Sequence, residues 1–112
     1  MDEERARRLL VEERERVEQL LDEVARRREG IRDAGDEHGD LNDGAEPLTS
    51  EGTDDAVASG LRKRLEAIDR AEARLASGTY GRSVRSGAPI PDERLEADPA
   101  AELTVEEAMR AG

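Results

Sequence analysis

The chain has 112 residues, 29 of them acidic and 18 basic, for a net charge of −11, and 42% of its residues are charged. So negative a balance argues against direct contact with nucleic-acid phosphates or an anionic membrane surface, both of which select for basic patches. Tyr80 is the only aromatic residue and cysteine is absent, which speaks against a thick globular core and excludes disulfides and thiolate metal sites.

The opening Met1-Asp2-Glu3-Glu4-Arg5 has none of the marks of a signal peptide, and no apolar run reaches membrane-spanning length, so a cytoplasmic protein is expected. Over residues 2–34 the pattern is helical. Leu10, Val17, Val24 and Ile31 recur every seven residues, with Ala6 and Leu20 between them and Leu21 widening the stripe. Glu13 and Arg27 are charged breaks in this heptad seam. Pairs four apart, such as Glu4 with Arg8 and Glu12 with Arg16, add about 0.2–0.5 kcal/mol each to helix stability. Such a helix, roughly 45 Å long at 1.5 Å per residue, is too polar to stand alone and calls for one partner helix.

Residues 33–55 hold nine carboxylates and no Lys or Arg. Glycines, Asn42 and Pro47 make the middle of this stretch a poor helix, so an acidic bend over 35–50 is expected. His38, the only histidine, lies in it and is read as incidental. The partner helix follows over 51–77, where Leu61, Leu65, Ile68 and Leu75 fall on a 4-3-4-3 spacing that extends back through Ala58 and Asp54. Glu72 interrupts that spacing, with Ala71 beside it. Thr53 with Asp54 and Asp55, or Ser50 before them, supplies a start signal, and Gly78 a C-cap. Gly60 costs this helix about 1 kcal/mol against Ala.

After Gly81 the character changes. Arg82 to Arg94 contains Pro89, Pro91 and Gly87, which predicts turns and a short strand pair. Thr104 with Glu107 three residues later has the form of a capping box and predicts a short last helix. The expected fold is all-α: a long antiparallel coiled-coil hairpin over 1–78, then a small module over 79–112.

Three features stand in one order along this chain. Asp40-Leu41-Asn42-Asp43-Gly44-Ala45 is an Asp-x-x-Asp-x-Ala element at the bend; Leu75-Ala76-Ser77-Gly78-Thr79-Tyr80-Gly81 ends the second helix; and Gly87-Ala88-Pro89-Ile90-Pro91 precedes Arg94-Leu95-Glu96-Ala97. In this arrangement the chain resembles the DksA/TraR family of bacterial RNA-polymerase-binding regulators over nearly its whole length. The resemblance implies that the coiled coil enters the polymerase's secondary channel and carries its acidic tip toward the active site. Asp40 and Asp43 would act there, with Ala45 as the small neighbour, and Arg62, Lys63 and Arg64 form a basic patch that could meet the channel rim. No enzymatic activity is expected, since a hairpin tip offers no desolvated pocket to shift carboxylate pKa values.

Zinc-binding members of that family carry two Cys-x-x-Cys pairs. Here the corresponding positions hold Ser83 and Ser86, then Thr104 and Glu107. Neutral hydroxyls are poor ligands for structural zinc, so the expectation is no metal and no cofactor. The module would then rest on Val84, Ile90, Leu95, Leu103 and Val105, or else be mobile. Some members also respond to ppGpp; Asp98 after Arg-Leu-Glu-Ala would repel a polyphosphate, which argues against it here. A solvated acidic loop accounts for the same tip residues without function. A calcium reading fails, because an EF-hand frame started at Asp36 or Asp40 puts Leu41 or Ala45 where glycine is needed. The competing functional reading is a helical-hairpin interaction module that has kept the scaffold and taken another partner.

Overall fold

A computed structural model describes residues 1–37 and 45–111, with side chains described for 1–27 and 53–110. Four helices follow in order: α1 (Glu3–Glu37), α2 (Ala45–Ser77), α3 (Asp92–Ala97) and α4 (Val105–Ala111). Among the described residues there is no strand, only an isolated antiparallel bridge between Arg82 and Pro89. The fold is all-α, and α1 and α2 form the long hairpin that the heptad pattern predicts.

Both long helices extend further than their sequence signals suggest. α2 begins at Ala45, so Pro47, expected to break helix, sits in its first turn. Proline is tolerated there because the N–H groups of a first turn have no intrahelical acceptor to lose. The start signal at Thr53 therefore falls inside the helix. At the other end the expectation holds in detail. Thr79 N–H reaches Arg74 O at 2.9 Å and Gly78 N–H reaches Leu75 O at 3.3 Å. Gly78 adopts φ +81°, the left-handed conformation that this Schellman arrangement requires.

The chain divides into two compact units. One comprises Arg16–Arg64, the other Met1–Glu15 with Leu65–Gly112. In the first, Val17 and Val24 from α1 and Ala58 from α2 are buried, together with Asp54. Leu20 is 41% exposed although the heptad assigns it to the seam. Leu21 is the better covered of the two leucines there. Arg27 pairs with Asp54 at 3.6 Å, so two charged breaks in the seam face each other.

In the second unit Ala6, Leu10 and Glu13 from α1 are buried, as are Ile68, Ala71 and Leu75 from α2. Ala71, not Glu72, occupies the seam position, which brings Glu72 to its edge. Ile90, Leu95 and Ala101 form the core beyond the hairpin, with Met1 and Tyr80 packed against it. Val84 and Val105, expected to hold this region, are 57% and 46% exposed. Two small residues not expected in the core, Ala100 and Ala101, are buried. α3 is also new: Pro91 followed by Asp92 and Glu93 starts a short helix, which points Leu95 into that core.

Candidate functional site

Of the residues assigned to the tip, Asp40 and Asp43 lie outside the described residues. Ala45 is the first residue of α2, and its side chain likewise lies outside them. On α2, Arg62 and Lys63 are exposed and Arg64 is half-buried. Arg64 has an interaction partner within the protein, so the solvent-facing part of this patch is Arg62 and Lys63.

Sequence reasoning missed an ion cluster on the hairpin. The Arg14 guanidinium donates to both Asp69 and Glu72. These two carboxylates, Asp69 first, raise the arginine pKa above its usual value. α1 thereby gains a charged anchor on α2 beside the buried Leu10 and Ile68. Single-sequence patterns give the face of each helix but not the axial register between them, so this cluster left no readable signal.

A second cluster ties α2 to the segment before α4. Arg70 donates to Glu102 through Nε at 2.9 Å and through a terminal nitrogen at 3.1 Å, and Arg74 adds a third contact at 3.3 Å. The Glu102 carboxyl is held below its ordinary range, chiefly by the hydrogen bonds from Arg70. A two-pronged guanidinium–carboxylate contact fixes orientation as well as charge. Three main-chain acceptors complete the framework. Tyr80 donates its hydroxyl to Pro99 O at 2.8 Å, Arg94 Nε donates to Leu103 O at 2.9 Å, and Val84 N–H donates to Glu102 O at 2.8 Å. Burial pushes the Tyr80 hydroxyl up to about 12, so it remains a donor across the physiological range.

The four positions singled out as replaced metal ligands come together. The expected capping box is present: Glu107 N–H donates to Thr104 Oγ1 at 3.2 Å, and Thr104 N–H donates back to Glu107 Oε1 at 3.0 Å. The Thr104 hydroxyl adds a contact to the same oxygen at 3.1 Å. Ser83 Oγ accepts the N–H groups of Arg85 and Ser86 at 3.1 and 3.2 Å, closing the turn. Hydrogen bonding from the Ser83 and Ser86 hydroxyls, ahead of that from Thr104, holds the Glu107 carboxyl at about 2. Ser83 and Thr104 are buried.

This donor set does not suit a structural zinc ion, which selects thiolate or imidazole. It offers three neutral hydroxyls and a carboxylate already engaged by donors. Among the described residues, no group of three or more His, Cys, Asp and Glu is placed to hold a metal. Among them, too, no helix is long and apolar enough to cross a membrane.

No family model matches the chain. It is 36% identical over 94 residues to General stress protein 16O of Bacillus subtilis, covering 84% of this chain and 54% of that protein. It is 38% identical over 69 residues to the RNA polymerase-binding transcription factor DksA of Caulobacter vibrioides, covering 62% of this chain and 49% of that one. The chain thus spans about half the length of the curated relatives it matches. Among solved structures, transcription factor DksA2 from Pseudomonas aeruginosa superimposes with a TM-score of 0.81 and 26% identity, over 99% of this chain and 85% of that one. A structural match running through the hairpin, the turn at 81–90 and both short helices, joined to these sequence matches, identifies the chain as a member of the DksA-like family.

Proposed function

We propose that the chain is a transcription regulator that binds bacterial RNA polymerase, entering the secondary channel with its coiled coil. The observation that carries this is the likeness to DksA2 over nearly the entire chain. The sequence match to a DksA described as RNA polymerase-binding adds to it. In this reading the coiled coil over 1–78 supplies the reach, and the module over 79–112 seats it. Asp40 and Asp43 act at the tip, where carboxylates can engage a divalent ion or basic residues, with Ala45 permitting close approach. Arg62, Lys63 and Arg64 meet the rim of the channel. The protein is cytoplasmic, has no catalytic role of its own and needs no cofactor. Asp98, whose carboxylate accepts the Ala100 N–H at 3.2 Å, disfavours a polyphosphate beside it and so argues against ppGpp as a co-effector.

The test compares wild type with the double variant Asp40→Asn, Asp43→Asn for binding to core RNA polymerase and for the lifetime of promoter complexes. Both proteins bind, because the hairpin body provides the affinity, and only the wild type changes the lifetime. Failure of the wild type to bind refutes the reading. The match to a general stress protein favours a second reading, a helical interaction module with a different partner. Competition with a known secondary-channel factor separates the two: a protein that uses another partner does not compete.

A further inference from the structure

One stretch departs from the acidic character of the chain. From Leu75 to Pro91 there is no Asp or Glu, although the chain has 29 of them, and its basic residues there are Arg82 and Arg85. Both lie exposed on the turn 82–89, with Val84 between them at 57% exposure. Arginines on the long helices are paired with acids, as Arg14 is with Asp69 and Glu72, and Arg70 and Arg74 with Glu102. Among the described residues Arg82 and Arg85 meet no carboxylate; Arg82 donates only to Gly87 O of its own turn, at 3.3 Å. The turn holds these side chains in place. Ser83 N–H donates to Ala88 O at 2.8 Å, Gly87 N–H to Ser83 O at 2.9 Å and Ile90 N–H to Gly81 O at 2.8 Å. Val84 is pinned from behind by its N–H bond to Glu102 O at 2.8 Å. Its side chain is thus presented to solvent on a closed, hydrogen-bonded loop.

From this arrangement we infer that the turn 82–89 is a docking knuckle for a segment of a partner protein in which an aliphatic residue is flanked by Asp or Glu. The two guanidinium groups answer the carboxylates, with a geometry suited to two-pronged contacts. Val84 covers the aliphatic side chain between them. Arginine is enriched, and Asp, Glu and Lys depleted, at the centre of protein interfaces, and the turn has that composition. Because the turn is already closed by its own hydrogen bonds, little ordering is left to oppose binding. Charge decides between the two kinds of polyanion that arginines can meet. A nucleic acid carries a phosphate charge at every step along its length, and the net charge of −11 on this chain repels it as a whole. A short protein segment carries few charges, and those within a Debye length of the turn, about 8–10 Å, meet the arginines first. A phosphate backbone also has nothing to offer Val84. The inference rests on the reading of the chain as a protein-binding regulator, and names the part of the module 79–112 that seats it.

The test uses the full chain and has two arms. In the first, binding to core RNA polymerase is compared for the wild type, Arg85→Glu and Val84→Ser. Both side chains are exposed, so the variants keep the thermal midpoint of the wild type. Arg85→Glu weakens binding about tenfold and Val84→Ser about threefold. Equal affinity in all three overturns the knuckle and leaves the RNA polymerase reading standing. Failure of the wild type to bind removes that reading, and the second arm then decides alone. There, amide chemical shifts of the chain are followed on adding the end-blocked peptide Asp-Glu-Leu-Asp-Glu, the same peptide with Ser for Leu, and a short oligothymidylate. The leucine peptide shifts the amides of the turn 82–89, the serine peptide shifts them less, and Arg85→Glu abolishes the effect. No shift at the turn overturns the inference. A stronger response to the oligothymidylate assigns the turn to nucleic acid and overturns it as well.

Discussion

At the scale of single residues, a few of the many charges are held in fixed geometry. Arg14 reaches two carboxylates with one guanidinium. Asp69 is largely exposed and Glu72 about 40% so, and solvent screens both contacts. Arg14→Ala is expected to cost about 0.5–1 kcal/mol in urea unfolding, and Arg14→Lys most of that, since an ammonium cannot fork between two acceptors. An undiminished stability in both variants would mean that the cluster is ornamental. Glu102 and Glu107 set the response to acid, both titrating below the ordinary 4.5 in the folded protein. Groups depressed in this way contribute stability that is fully present above 4.5 and is lost as pH falls through the folded value, toward about 2 for Glu107. The urea midpoint should therefore fall between pH 5 and pH 3, and fall less steeply in Glu102→Gln; equal slopes would remove Glu102 from the account. Leu95, 1% exposed and central to the small core, is expected to cost about 2–5 kcal/mol when replaced by Ala.

At the scale of elements, glycine separates helix interior from helix end. Gly60 lies inside α2, and a methyl group built on it meets nothing within 4 Å. Gly60→Ala should raise stability by about 0.5–1 kcal/mol, read as a higher thermal midpoint, because only the entropic penalty of glycine is removed. Gly78 is the opposite case. Its φ of +81° is strained for any residue with a Cβ, so Gly78→Ala should lower stability by about 1–2 kcal/mol although there is room for the methyl group. Much of the fold was legible at this scale. Heptad spacing gave α1 and α2, Gly78 gave the end of α2, and the Thr104–Glu107 spacing gave the start of α4. Three things escaped. Pro47 reads as a breaker in the sequence because its effect depends on which turn it occupies. α3 was hidden because six residues are too few to show a period. Hydrophobicity alone assigns Val84 and Val105 to the core, whereas both are exposed and Ala100 and Ala101 are buried.

At the scale of the whole molecule, the family was readable from motif order, while the contacts that distinguish this member were not. Asp-x-x-Asp-x-Ala, Gly-x-Tyr-Gly and Arg-Leu-Glu-Ala succeed one another at spacings a reader can see. Ser83, Ser86, Thr104 and Glu107 are visible in the sequence only as a correspondence of positions, and nothing there declares that Ser83 turns its oxygen onto the amides of Arg85 and Ser86. The Arg14 cluster needs a register between two helices, and the Glu102 cluster a packing of the segment before α4 on α2, and no single chain pattern contains either.

The ion pairs also set an order in time. Arg14 and Asp69 are 55 residues apart, and Arg5 and Glu96 are 91 apart, whereas Arg27 and Asp54 are separated by about half the smaller of these distances. Each doubling of a loop adds about 0.6 kcal/mol to the entropy of closing it. The segments nearest the bend therefore meet most cheaply, and the hairpin should zip from there toward its open end, with the short helices settling last. Refolding kinetics can follow this sequence. Ala58→Gly should slow folding, while Leu95→Ala should chiefly speed unfolding. The reverse pattern would mean that collapse begins around Leu95 and draws the two long helices together behind it.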